Sequence, residues 1–185
     1  MQNYKLGEYI RQRRLDLGLT QEQVCAGICE SVTLSRFENG KQTPSRNRIN
    51  AILQRLGLPD DRYYALVTPE ELEIEALKKE IVSCNALKCV EEGFDKISRL
   101  EKIAKSDDQI TQQFILRSKV LLGGLDKRYS NDERIQMLLQ AIRMTIPDFQ
   151  LDKIEDFLFT LDEMKLVNQI GNAYSLSGDN EKAAD

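Results

Sequence analysis

The chain has 185 residues, of which 41% are hydrophobic and 30% charged, with a net charge of -4 and no histidine. This is the composition of a soluble globular protein, and it excludes a disordered or collagen-like chain. The charge is uneven: residues 1–68 hold 10 Lys and Arg against 7 Asp and Glu, a net of +3, and the remainder carries -7, so only the first part suits an anionic partner. No apolar run approaches the roughly 18 residues of a membrane span, and no secretory leader is recognisable, so a cytoplasmic location away from the membrane is expected.

The pattern is helical throughout, with no alternating β-branched stretches bounded by hairpin turns, and the expected fold class is all-α. A first helix over 5–17 stops at Gly18, a residue suited to the left-handed position after a helix. Thr20 caps a second over 21–28, with Glu22 and Gln23 in its first turn. After a turn at Cys29 and Glu30, Ser31 caps a third helix ending near Asn39 and Gly40. A fourth starts around Pro44 and Ser45 and ends at Leu56 and Gly57, and a short fifth lies between Pro59 and Val67.

Thr68-Pro69 divides the chain into domains 1–68 and 69–185. Beyond it longer helices are expected at 70–86, 88–105, 109–122, 131–145, 151–177 and from 179 onward. Glu70 and Glu71 open the first of these at its positive dipole end, and Gly123 and Gly124 read as a helix cap and turn. Short polar breaks such as Lys105-Ser106-Asp107 give the rhythm of stacked helical hairpins.

Chemistry is sparse. Without histidine the commonest general acid or base is missing, and there is no G-x-S-x-G elbow or phosphate-binding loop, so neither an enzyme nor a cofactor is expected. Cys25, Cys29, Cys84 and Cys89 are read as small buried hydrophobes and not as a metal set, a redox or metal sensor being the alternative.

The third helix carries the functional pattern. With Leu34 and Phe37 turned inward, steps of about 100° per residue put Val32, Ser35, Arg36 and Asn39 outward and Thr33 at the edge. Such a face can simply be solvated, but its mixture also suits double-stranded DNA. Arg36 can donate two hydrogen bonds to guanine N7 and O6, Ser35 and Thr33 can meet phosphate or base edges, and Val32 can meet a thymine methyl.

The segment T-Q-E-Q-V-C-A-G-I-C-E-S-V-T-L-S-R-F-E-N-G from Thr20 to Gly40 resembles the lambda-repressor-like, or Xre-type, helix-turn-helix. So do I-R-x-x-R from Ile10 to Arg14 and S-R-F-E-N-G-K from Ser35 to Lys41. The resemblance covers residues 5–67 and implies a five-helix DNA-binding domain. It implies that Gln21, Asn39 and Lys41 hold the DNA backbone, that Ser31, Val32 and Arg36 touch bases, and that Arg14 and Glu38 form an ion pair tying the first helix to the third. Arg11 and Arg13 are left between phosphate contact and plain solvation. The link between the second and third helices is about one residue shorter than the commonest pattern.

The short form of the motif followed by helical hairpins is similar to the peptide-sensing regulators of the Rgg and PlcR type, which act in quorum sensing. Val167, Ile170, Gly171, Tyr174, Gly178 and Ala183 follow the tetratricopeptide pattern. In such hairpins Asn168 and Asn172, four apart on one helix face, match positions lining a concave groove, where they would hold a signalling peptide. The pattern stops inside the repeat's second helix at Asp185, so a shortened form of a longer protein is expected. The reading is a dimeric transcription regulator on a palindromic operator. Two alternatives stay open: a phage-type or antitoxin-type repressor whose helical tail only dimerises or binds a protein, and an enzyme with a DNA-binding head.

Overall fold

The computed structural model describes residues 6–60 and 68–178. Among them every regular element is helical. The chain divides into two compact units, Met1–Val67 with Leu158–Leu161 and Thr68–Phe157 with Asp162–Asp185. The expected helix between Pro59 and Val67 and the one from 179 onward lie outside the described residues.

The first unit contains α1 (Leu6–Asp16), α2 (Gln21–Cys25), α3 (Ser31–Glu38) and α4 (Arg46–Arg55). Its core is Ile10, Val24, Ile28, Leu34, Phe37, Ile49, Ile52 and Leu56, all buried. Three of these helices end in one way. Gly18, Gly40 and Gly57 adopt positive φ, and the amide after each returns to the carbonyl five residues back, as Lys41 N does to Arg36 O at 2.8 Å.

Local expectations needed correction here. The second helix stops at Cys25 and not at 28, because Gly27 turns left-handed with φ 67° and sends the chain into the link. Ser31 is the first helical residue of α3 and does not cap it; Glu30 holds the cap position without a side-chain bond. Pro44 precedes the cap Ser45, so the proline sits outside α4.

α1 and α3 approach so closely that a Cβ at Gly7 would overlap the Phe37 carbonyl and lie 3.2 Å from Glu38 Cα. Between the same helices runs a buried ion pair. Arg14 donates to both carboxylate oxygens of Glu38, Nε to Oε1 at 2.7 Å and Nη2 to Oε2 at 2.9 Å, and its Nη1 reaches the Leu19 carbonyl at 2.9 Å. The Gln21 amide adds a bond to Glu38 Oε2 at 2.7 Å. The Glu38 side chain is 1% exposed, and the Arg14 guanidinium is held above its usual range, first by the hydrogen bond it donates to Glu38.

The second unit contains α5 (Pro69–Leu87), α6 (Val90–Ile103), α7 (Gln109–Leu125), α8 (Asn131–Thr145), a 3-10 turn (Leu151–Asp156) and α9 (Leu161–Ser177). Thr68 caps α5 through a reciprocal box with Glu71, and Ser130 caps α8 likewise with Glu133. Each helix packs on the next from α5 to α8, and α5 also meets α7, the arrangement of consecutive helical hairpins. Ile74, Leu77, Ile81, Ile97, Leu100, Ile115 and Leu122 form their shared core.

Three expectations change in this unit. The helix expected over 88–105 begins at Val90 as α6, because Lys88 takes the left-handed position that ends α5. α7 runs through Gly123 and Gly124 to Leu125, so these glycines are not a cap; the left-handed residue is Lys127. Their lack of a Cβ instead lets the Tyr129 ring and the Arg134 guanidinium lie on the helix. The expected helix over 151–177 is broken, since Phe157 is extended at φ -108° and its ring packs 5.8 Å from that of buried Phe149. Packing of half-buried Phe157 against buried Phe149 accompanies the extended geometry before α9 starts.

Removing half of the ion pair leaves a buried charge without compensation, which costs about 3–5 kcal/mol. Glu38→Gln is therefore expected to lower the urea stability of the first unit by that amount, read by hydrogen exchange in α1 and α3 of the whole chain. Gly7→Ala must push backbone apart and is expected to cost about 1–3 kcal/mol in the same assay, with α5–α8 unchanged in both variants.

Candidate nucleic-acid interface

α2 and α3 are too short to hold helical geometry alone, so the rest of the unit must fix them. Thr20 Oγ1 accepts from Gln23 N at 3.2 Å while Gln23 Oε1 accepts from Thr20 N at 2.8 Å, closing the start of α2. At its other end the buried Arg55 donates Nη1 to the carbonyls of Val24 at 3.2 Å and Ala26 at 2.6 Å. A cation at a helix C-terminus also matches the negative end of the dipole. Ile28 anchors the link in the core, and α3 begins three residues later.

Leu34 and Phe37 of α3 face inward as the wheel requires. On the other side Val32 is 57% exposed, Arg36 is exposed, and Ser31, Thr33 and Ser35 are half-buried at the margins. Lys41, immediately after the helix-ending Gly40, is exposed as well. Arg36 and Lys41 thus lie within one short stretch that carries cations, hydroxyls and one apolar side chain, with the acid of that stretch, Glu38, buried in its pair.

Two of the expected contact residues have protein partners. Gln21 gives one amide hydrogen to Glu38, which leaves the second donor of the same nitrogen. The Asn39 amide turns back to the Ser35 carbonyl at 2.7 Å and closes the end of α3. Of the two arginines left open, Arg13 donates Nε to the Leu56 carbonyl at 3.1 Å and caps α4, whereas Arg11 is exposed.

One feature went unread in the sequence. α4 opens with Arg46 and has no acid in its first turn, and its cap Ser45 makes no side-chain bond. Cations at a helix N-terminus oppose the dipole by about 0.3–1 kcal/mol, so this end favours an anion. The signal was legible in S-R-N-R, where a stable free helix would carry Asp or Glu.

The cysteines divide by environment: Cys25 and Cys84 are buried, Cys29 is half-buried and Cys89 exposed, so the reading of all four as core residues holds for two. Among the described residues no cluster of three or more Cys, Asp or Glu is arranged to hold a metal ion, and no helix is long and apolar enough to cross a membrane.

In α9, Asn168 and Asn172 are both exposed. They share their face with Leu161, Met164 and Leu176, which are 53%, 45% and 72% exposed. Leu166, Ile170 and Ala173 occupy the buried side. Next to this face Arg117 of α7 donates to Gln169 at 3.2 Å and lies 4.0 Å from Asp162.

Residues 5–66 match the family model of a helix-turn-helix domain, and the first part of the chain is such a domain. No curated protein matched the chain. Among solved structures the chain is similar to Bacillus thuringiensis PlcR, described as a complex with the peptide PapR7 and DNA. The TM-score is 0.51 at 23% identity, over 97% of this chain and 61% of that one. The two proteins share an architecture of a helix-turn-helix domain followed by helical hairpins, and this chain spans about 61% of the PlcR chain's length.

Proposed function

We propose that the chain is a non-enzymatic, sequence-specific DNA-binding transcription regulator whose helical hairpins receive a peptide signal. The observation that carries the DNA-binding half is the outward face of α3, where a 57% exposed valine stands beside an exposed arginine on a helix whose acid is buried. An apolar side chain among polar ones has little reason to face water, but against a thymine methyl it gains contact. α3 enters the major groove, with Arg36 on guanine, Val32 on thymine, and Ser31, Thr33 and Ser35 on base edges or phosphate. Gln21 through its remaining donor, Asn39 and Lys41 hold the backbone, and the cation-rich start of α4 adds a phosphate contact through Arg46. Two copies would place two such helices on a palindromic operator.

The peptide half is supported by the α9 face. Asn168 and Asn172 offer two donor–acceptor amides one turn apart, able to pair with an extended peptide backbone. Exposed Met164 and Leu176 on the same face supply apolar contact for its side chains. The likeness in architecture to PlcR, which was solved with a peptide and DNA, points the same way.

Selection of duplexes from a randomised pool, followed by anisotropy titration, tests the first half. Arg36→Ala is expected to relax the preference at one base pair and to cost about 1–3 kcal/mol on the selected site. Lys41→Ala should weaken selected and random duplexes alike and flatten the salt dependence, since a phosphate contact releases counterions without reading bases. Equal losses on both duplexes for Arg36→Ala would remove it from base reading. For the second half, a peptide chosen from a random library by binding to the whole chain is expected to lose at least about tenfold in affinity to the Asn168→Ala, Asn172→Ala double variant. Unchanged calorimetric affinity would show that these amides are not the clamp.

A further inference from the structure

The link between α2 and α3 holds a pair of thiols that DNA recognition does not use. Cys25 is the last residue of α2 and is buried, and Cys29 is half-buried in the turn that follows. Two main-chain bonds fold them against each other: Ile28 N and Cys29 N both donate to the Cys25 carbonyl, at 2.9 and 3.0 Å. A closed turn from residue i to i+4 sets Cα atoms about 6 Å apart, within the range a disulfide spans. The Cys25 thiol points to the Glu22 carbonyl at 3.9 Å in the reduced form, and the two sulfurs lie near enough to shift each other's ionisation. Gly27 lies between them with φ 67°, a conformation that gives the turn freedom to adjust.

The surroundings distinguish the two sulfurs. The neighbouring Cys25 thiol holds the Cys29 thiol below its ordinary range, with Arg48 and Arg55 adding to the effect against burial and Glu30. Cys25 is pushed up, first by the neighbouring Cys29 sulfur, then by burial and by the charges of Cys29 and Glu22. A half-buried, more acidic sulfur beside a buried, protonated one is the division of labour of an attacking and a resolving cysteine.

We infer that Cys25 and Cys29 form a peroxide-sensitive dithiol whose oxidation to an intrachain disulfide loosens the grip of α3 on DNA. The Cys29 thiolate attacks one oxygen of hydrogen peroxide. The O–O bond breaks, and the hydroxide released takes up a proton to leave as water, with Cys29 oxidised to the sulfenic acid. Removal of the thiolate's charge lets Cys25 give up its proton. Its sulfur then attacks the Cys29 sulfur and displaces hydroxide, which leaves with that proton as a second water. Both sulfurs are oxidised to the disulfide, and one peroxide is reduced to two waters.

The covalent bond takes the Cys25 sulfur away from the Glu22 carbonyl and ties it to Cys29. The adjustment falls on the turn, because the end of α2 is held by Arg55 and the core while Cys29 stands two residues before Ser31. The start of α3, which carries Ser31 and Val32, therefore moves. This consequence rests on the DNA-binding reading; formation of the disulfide does not.

The test treats the reduced whole chain with hydrogen peroxide and reads it by tryptic mass mapping and by anisotropy on the selected duplex. The fragment Leu15–Arg36 holds both residues and is expected about 2 Da lighter, with the mass restored by dithiothreitol. Cys84 and Cys89 fall in other fragments and serve as internal controls. Cys25→Ser should stop the reaction at a Cys29 sulfenic acid trapped by dimedone. The oxidised wild type is expected to bind the duplex about tenfold more weakly, the scale of one lost base contact, while the Cys25→Ser, Cys29→Ser variant keeps its affinity in peroxide. An unlinked, over-oxidised Cys29, or a cross-link to Cys89, overturns the dithiol. A clean disulfide with unchanged affinity overturns the coupling to α3. Reduced protein that binds no duplex while the 2 Da loss still occurs refutes the DNA-binding reading and with it the coupling, and leaves the dithiol standing on the mass data.

Discussion

The first unit depends on one buried contact, the two-pronged bond of Arg14 to Glu38. Removing two charges from water costs several kcal/mol per ion, and geometry of this quality with further bonds is needed to offset it. Here the further bonds come from two more segments. The Leu19 carbonyl takes the third arm of the guanidinium, and Gln21 takes a lone pair of the carboxylate. Four chain segments are thus registered on one point: α1, the loop after it, the start of α2 and the end of α3. A hydrophobic contact at this place could give similar stability, but it would leave α3 free to rotate. The directed bonds fix which residues face out.

That orientation also decides the electrostatics of the outer surface. Glu38 lies in the same short stretch as Arg36 and Lys41, and a solvated carboxylate there would repel phosphate. Burial against Arg14 removes it, so the stretch presents its cations unopposed. The same economy recurs at Arg13 and Arg55, which spend their donors on the ends of α4 and α2. Of the basic residues that give this part of the chain its positive charge, several are therefore structural, and net charge overstates the number available to an anionic partner.

Much of the fold was readable in the sequence because its signals are local. Thr20 with Gln23, Thr68 with Glu71 and the glycines at 18, 40 and 57 mark helix ends by bonds spanning only a few residues. The inward pair Leu34 and Phe37 fixed the face of α3 by spacing alone. What failed depended on contacts distant in sequence or on competing local geometry. The break within 151–177 had one local signal that went unread, Thr160 three residues before Glu163 at the start of α9; the packing of Phe157 on Phe149 had none. Gly123 and Gly124 look like a helix end, yet they serve side chains from the next turn and from α8. At the interface, Arg36 and Lys41 were legible from the helix wheel and the motif. The employment of Arg13 at Leu56, 43 residues away, was not.

The recognition unit is consequently a set of short elements held from outside. Five residues of α2 and eight of α3 cannot sustain themselves as isolated helices; their geometry is borrowed from the Thr20 box, Arg55, the Arg14–Glu38 pair and the core. The bonds at either end of α2 are strong, and so is the pair at the end of α3. Between them the link from Ala26 to Glu30 is held mainly by the bonds to the Cys25 carbonyl and by burial of Ile28. It is also where the cap of α3 has no side-chain bond. A perturbation there meets little resistance from the ends and acts on the first turn of α3. Cys29 stands in that link and Cys25 at the fixed end of α2, so the proposed disulfide would tie the yielding segment to the rigid one and pass the change to the first turn of α3.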